Sequence, residues 1–169
     1  MEQKNIKLLL IEGDIDYTRI VQTILDRSGA VRFESVWSDC LSDGLERSAL
    51  GDFDLVLLDL NLPDSRGFDT FLRTLVQVPD IPIIVLTGTD GESLAVRAVQ
   101  MGAHDYLIKR QLSNGHLVHS ILYAIKKRRA RMKRSTHGSD HNEAYFRDII
   151  ERNADGVSLM GPRDLTADP

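Results

Sequence analysis

One cysteine, Cys40, stands in 169 residues. No disulfide within the chain can staple its fold, and nothing points to an oxidising compartment. Long hydrophobic runs are absent as well. No segment approaches the roughly 20 apolar residues that a membrane-spanning helix needs, and Leu8–Ile11 is too short for a signal-peptide core. A soluble chain in a reducing, cytoplasmic setting is the expectation, with no membrane partner. Basic residues are in deficit over most of the length: residues 1–125 carry 11 Lys and Arg against 18 Asp and Glu. Seven of the nine residues from Lys126 to Arg134 are then basic and none is acidic, while the last 35 residues hold 3 basic and 7 acidic side chains. Such a shift marks a boundary. With 42% apolar and 27% charged residues, the chain has an ordinary globular balance and can bury a core without cross-links.

What is present is an alternation of two hydrophobic periods. Ile6–Ile11 reads as a strand buried on both faces. Asp14 is placed to cap a helix with Tyr17, Val21, Ile24 and Leu25 on one face, and Gly29 suits the left-handed residue after its end. Val31–Val36 predicts a more polar strand nearer an edge, and Ser38 an N-cap for the helix that stops at Gly51. Phe53–Leu58 is the most apolar strand candidate and ends on Asp59. Pro63 and Gly67 lie in the loop that follows, before a helix containing Phe68 and Phe71. Ile81–Leu86 leads to Thr87 and Gly88. Thr89 and Glu92 then have capping-box spacing for a helix closing at Gly102. Ala103–Ile108 ends on Lys109, and Ser113 caps a long helix with Leu117, Ile121 and Ile125. Five strands, each followed by a helix, predict an α/β, doubly wound, five-stranded parallel sheet, because parallel strands need right-handed crossovers.

Loops at the C-terminal ends of the strands form the functional edge of such a sheet. Glu12 and Asp14, Asp59, Thr87 and Lys109 all fall there. Alone, Asp59 could be a helix cap, Thr87 a β-branched strand end and Lys109 a solvated charge. Their convergence favours a shared chemistry. Clustered carboxylates share a proton or bind a hard cation, and Mg²⁺ suits a few oxygen ligands plus water and phosphate. An ionised Asp can itself attack phosphorus, with the metal, an ammonium and a hydroxyl neutralising the phosphoryl oxygens.

The texts Leu8-Leu-Leu-Ile-Glu-Gly-Asp14, Leu57-Leu-Asp-Leu-Asn-Leu-Pro-Asp64, Pro82-Ile-Ile-Val-Leu-Thr-Gly88 and Gly102-Ala-His-Asp-Tyr-Leu-Ile-Lys109 together resemble the receiver domain of two-component response regulators, over about residues 5–128. The resemblance implies a flavodoxin-like strand order 2-1-3-4-5. It implies that Asp59 is the phosphoacceptor, charged from a phosphohistidine on a sensor histidine kinase or phosphotransfer protein. Thr87 and Lys109 would bind the phosphoryl group, and Tyr106 would swing inward behind Thr87. Mg²⁺ would be held by Glu12, Asp59 and the backbone carbonyl of Asn61, with Asp14 a further candidate. Two departures stand out. Receivers generally carry a second acid where this chain has Gly13, which weakens the expected metal site, and Arg110 replaces a common proline.

Three regions are expected: a receiver domain over 1–128, a basic helical extension and hinge over 129–142, and the start of a PAS-like domain over 143–169. The last is too short to be complete, so further PAS and output domains of the same chain are expected partners, and an output domain could be an enzyme although the receiver is not one. The seven-residue pattern of Val118, Leu122, Ile125 and Met132 is interrupted by Arg129, so any coiled coil is weak and a homodimer is only a candidate. No aromatic or recognition-helix pattern accompanies the basic block, so nucleic acid is not an expected partner here. The alternative to a phosphorylated switch is a phosphorylation-independent pseudo-receiver that acts as an interaction module. A phosphatase with an Asp nucleophile ranks lower, because Asn61 stands where such enzymes place a second Asp. A flavodoxin-like carrier ranks lower still, because the loop after the first strand lacks a Ser/Thr/Gly-rich phosphate cradle.

Overall fold

A computed structural model describes residues 4–29 and 31–135. Strands and helices alternate as β1 (Asn5–Ile11), α1 (Ile15–Asp26), β2 (Arg32–Ser38), α2 (Leu41–Leu50), β3 (Leu55–Asp59), α3 (Phe68–Gln77), β4 (Ile83–Thr87), α4 (Glu92–Gln100), β5 (Asp105–Ile108) and α5 (Asn114–Ser135). The strands form one sheet in the order β2-β1-β3-β4-β5, every pair parallel. This is the doubly wound parallel sheet expected from the alternating pattern, in the flavodoxin-like strand order that the resemblance implied.

Apolar content decides position in the sheet. All five residues of β3 and of β4 are buried, as strands covered on both faces must be. The more polar β2 lies at an edge, with Arg32 and Glu34 exposed. On one face Leu8, Leu10 and Leu57 pack with Val21 and Leu25 of α1 and with Leu117 and Ile121 of α5. Alternation along the strands turns Leu9 and Ile11 to the opposite face. There α2 crosses close to β1: a Cβ on Gly44 would lie 2.5 Å from Ile11 Cδ1.

Two predicted caps form. Asp14 accepts from the backbone N–H groups of Asp16 and Tyr17 at 2.9 and 3.3 Å, and Ser113 Oγ accepts from His116 N–H at 3.3 Å. Two others are replaced. Ser38 belongs to β2, and the first turn of α2 is capped from outside its own sequence: the Asp64 carboxylate accepts from Leu41 N–H at 2.8 Å and Ser42 N–H at 2.9 Å. The expected Thr89–Glu92 capping box does not form. Thr89–Gly91 wind into a 3₁₀ turn, with Gly91 N–H donating to the Gly88 carbonyl at 3.1 Å, and α4 starts only at Glu92.

The basic extension begins within α5, which is continuous to Ser135. The rest of the expected hinge and the PAS-like segment lie outside the described residues. Among the described residues no helix is long and apolar enough to cross a membrane.

Candidate functional site

Strand register brings four of the expected residues to one edge. Asp59 ends β3 opposite Leu86, Thr87 ends β4 opposite Ile108, and Glu12 and Lys109 directly follow β1 and β5. The Glu12 backbone is fixed from the β2 side: its N–H donates to the Ser38 carbonyl at 3.0 Å, and its carbonyl accepts from Trp37 Nε1 at 2.8 Å.

Lys109 joins the two acids. Its Nζ lies 2.7 Å from Glu12 Oε2 and 3.0 Å from Asp59 Oδ2. The same ammonium stands 4.7 Å from the centre of the Tyr17 ring, an attractive cation–π placement. Glu12 is fully buried and Asp59 is 6% exposed. Buried charges of one sign are tolerable only with such a partner and with hydrogen bonds to the remaining oxygens. Those bonds exist: Glu12 Oε1 accepts from Asp14 N–H, and Asp59 Oδ1 from Asn61 N–H, both at 3.0 Å.

Burial pushes the Glu12 carboxyl up; the charge of Asp59 adds to this and Lys109 opposes it, leaving the pKa at about 7. Burial also acts on Lys109, pulling its ammonium down, but the two carboxylates outweigh it and the net shift is upward. Lys109 therefore stays charged at neutral pH, while Glu12 sits where a proton is readily exchanged. Burial, followed by the charges of Glu12 and Asp59, raises the Tyr17 hydroxyl. That hydroxyl is buried with no hydrogen-bond partner among the described residues.

Other candidates lie around this centre without joining it. Asp14 is engaged at the α1 cap. Asn61 is exposed and meets Asp59 through its backbone N–H. Thr87 is buried, and its hydroxyl donates to the Gly88 carbonyl at 3.0 Å. Tyr106 is half-buried, and its hydroxyl donates to Glu92 Oε1 at 3.2 Å. Gly13 is exposed beside Pro63.

The donor set suits a hard cation in kind, since Glu12 and Asp59 offer only oxygen and already converge on the Lys109 ammonium. With the Asn61 carbonyl, these carboxylates are the residues that would hold Mg²⁺, the other positions falling to water. No grouping of three or more His, Cys, Asp or Glu able to hold a metal occurs among the described residues. Gly13 supplies no side-chain oxygen.

Sequence reasoning missed Tyr17 as part of this centre. It reads as an apolar residue on the inner face of α1, and only the fold brings Lys109, 92 positions later, over its ring.

Residues 8–122 match the family described as the response regulator receiver domain. Among curated proteins, the chain is 37% identical over 102 residues to the KDP operon transcriptional regulatory protein KdpE of Escherichia coli, covering 60% of this chain and 44% of that protein. It is 36% identical over 104 residues to the cell cycle transcriptional regulator CtrA of Caulobacter vibrioides, covering 61% and 43%. The match thus spans less than half the length of these relatives. Among solved structures, a response regulator receiver domain protein from Clostridium thermocellum aligns with a TM-score of 0.65 at 23% identity, covering 74% of this chain and 98% of that one. Full-length FixJ from B. japonicum aligns with a TM-score of 0.68 at 24% identity, covering 79% and 64%. At these identities the structural matches speak for the fold.

Proposed function

The chain belongs to the response regulator receiver domain family, and we propose that this member is a phosphoacceptor switch in which Asp59 takes a phosphoryl group from a phosphohistidine. Receiver domains as a family are phosphoacceptors rather than conventional enzymes, and they interact with histidine kinases or phosphotransfer proteins and with output domains. The observation that carries the reading is the position of Asp59: a carboxylate at the end of β3, held between Lys109 Nζ and Asn61 N–H, 3.0 Å from each.

An oxygen of the ionised Asp59 attacks phosphorus. The O–P bond forms as the P–N bond to histidine breaks, and the departing imidazole nitrogen takes a proton. Lys109 remains charged and neutralises phosphoryl oxygens after transfer. Thr87 supplies its hydroxyl to the phosphoryl group once it leaves the Gly88 carbonyl, and Tyr106 follows it inward. Mg²⁺, held by Glu12, Asp59 and the Asn61 carbonyl, supplies further charge neutralisation when bound, more weakly for want of an acid at position 13.

Residues 1–128 form the receiver in this reading. The basic extension links it to PAS and output domains of the same chain, and the protein acts in the cytoplasm. Incubation with a small phosphodonor and Mg²⁺ tests the reading by intact mass. One acid-stable, hydroxylamine-labile phosphoryl adduct is expected in the wild type and none in Asp59→Asn. An adduct that survives the substitution overturns the assignment, and none in either protein favours the phosphorylation-independent interaction module.

A further inference from the structure

We propose that Gly91 and Glu92, consecutive residues at the head of α4, form a clasp that holds Thr87 and Tyr106 away from Asp59 and thereby sets how readily the acceptor is charged. The inference rests on the phosphoacceptor reading, and it assigns to two further residues the positioning of the switch pair.

The first half of the clasp is a notch. A Cβ built on Gly91 would overlap Thr87 Oγ1, so the hydroxyl occupies space that any other residue at position 91 would fill. The Gly88 carbonyl receives both this hydroxyl, at 3.0 Å, and the Gly91 N–H that closes the 3₁₀ turn, at 3.1 Å. Thr87 is therefore tied to the turn twice, by an acceptor and by a fitted space. It cannot offer its hydroxyl to a phosphoryl group without giving up both.

The second half is the Glu92 carboxylate. Its spacing from Thr89 predicts a role in capping α4, yet the 3₁₀ turn displaces that cap. Gly91 precedes the helix with no side-chain cap. Glu92 instead accepts from the Tyr106 hydroxyl. Tyr106 pairs with Val85, two residues before Thr87 on the neighbouring strand, so the two held side chains belong to adjacent strands and are retained by adjacent residues. One movement of the α4 head releases both.

A contact that favours the withdrawn arrangement lowers the population of the competent one by the same factor. Alanine at Gly91 denies Thr87 its notch and should raise the labelling rate of Asp59 by about five-fold. Glu92→Ala removes an exposed acceptor and should raise it by about two-fold. Mg²⁺ affinity, followed by the fluorescence of the single Trp37 beside Glu12, should stay unchanged in both.

The test uses the 169-residue chain with 3-fluorotyrosine incorporated, the Tyr106 line being identified by its loss in Tyr106→Phe. Labelling by acetyl phosphate in Mg²⁺ and the ¹⁹F spectrum are recorded for wild type, Gly91→Ala and Glu92→Ala. Faster labelling in both variants, with the Tyr106 line of Gly91→Ala displaced toward its position in the labelled wild type, supports the clasp. Wild-type labelling rates in both variants overturn it. If the wild type takes no adduct, the phosphoacceptor reading fails and the control of charging fails with it; the hold on Thr87 and Tyr106 is then judged on the spectrum, where a Tyr106 line unmoved by Gly91→Ala overturns it and a displaced one sustains it. If Gly91→Ala does not fold, Glu92→Ala carries the test through its labelling rate, or through the Thr87 methyl resonance where no adduct forms, an unchanged value overturning the clasp.

Discussion

Lys109 Nζ stands 2.7 Å from Glu12 Oε2, so the one fully buried acid of the site is partnered by an ammonium that enters from the far side of the sheet order. The pair makes stability depend on pH in a definite direction. The folded Glu12 carboxyl keeps its proton up to about pH 7, against an ordinary value of 4.5. Between those values the folded chain binds more protons than the unfolded one, and stability falls as pH rises. In EDTA, the denaturant midpoint should decline from pH 4.5 to about 7, and Glu12→Gln should remove that component. A wild-type slope retained in full by the variant would count against the assignment to Glu12.

The alternation of periods made the sheet legible, because a strand buried on both faces and an amphipathic helix leave different marks over a few residues. Asp59, Thr87 and Lys109 were legible for the same reason: each ends an apolar run. Relationships that skip across the chain were not. Asp64 ends the Leu57–Asp64 motif, but nothing local shows that its carboxylate reaches back to Leu41, 23 positions earlier. Glu92 has the spacing of a capping partner, and only the 3₁₀ turn after β4, a tertiary choice, turns it toward Tyr106.

Asp64 yields a test of that long reach. Two backbone donors at the head of α2 depend on one carboxylate from the loop after β3. Asp64→Ala should cost about 1 kcal/mol, the usual price of a lost N-cap, and Asp64→Asn much less. Hydrogen exchange at Leu41 and Ser42 should accelerate in the alanine variant, because the donors lose their acceptor. Unchanged protection there would place the stabilising contact elsewhere.

Gly44 is constrained by contact rather than by backbone angle. A methyl group at this helical position would meet Ile11 Cδ1 at 2.5 Å and Cγ1 at 2.8 Å. Helix propensity favours alanine by up to about 1 kcal/mol, but overpacking a filled core costs roughly 1–3 kcal/mol. Gly44→Ala should therefore destabilise the chain on balance. Adding Ile11→Val removes the Cδ1 that would clash, so the double variant should recover much of the loss in urea unfolding. Strictly additive losses would argue that the two residues do not share the strain.

Gly13 offers no side-chain ligand to the proposed Mg²⁺ site. A Cβ there would stand 3.3 Å from Pro63 Cδ and 3.7 Å from the Asp39 carbonyl oxygen, so a side chain fits once Pro63 yields by a few tenths of an ångström. Gly13→Asp would add a third carboxylate beside Glu12 and Asp59. Cation affinity rises with the count of charged ligands, and a gain of about ten-fold in Mg²⁺ affinity is expected, equivalent to about 1.4 kcal/mol. Gly13→Ala isolates the steric part and should leave affinity within about two-fold of wild type while costing less than about 1 kcal/mol in stability. Trp37 donates to the Glu12 carbonyl at 2.8 Å, which makes its fluorescence a reporter for the titration. If Gly13→Asp binds no more tightly than Gly13→Ala, the cation is held without help from position 13. Glu12 and Asp59 would then be the whole of the carboxylate site, and the departure at Gly13 would carry no cost in affinity.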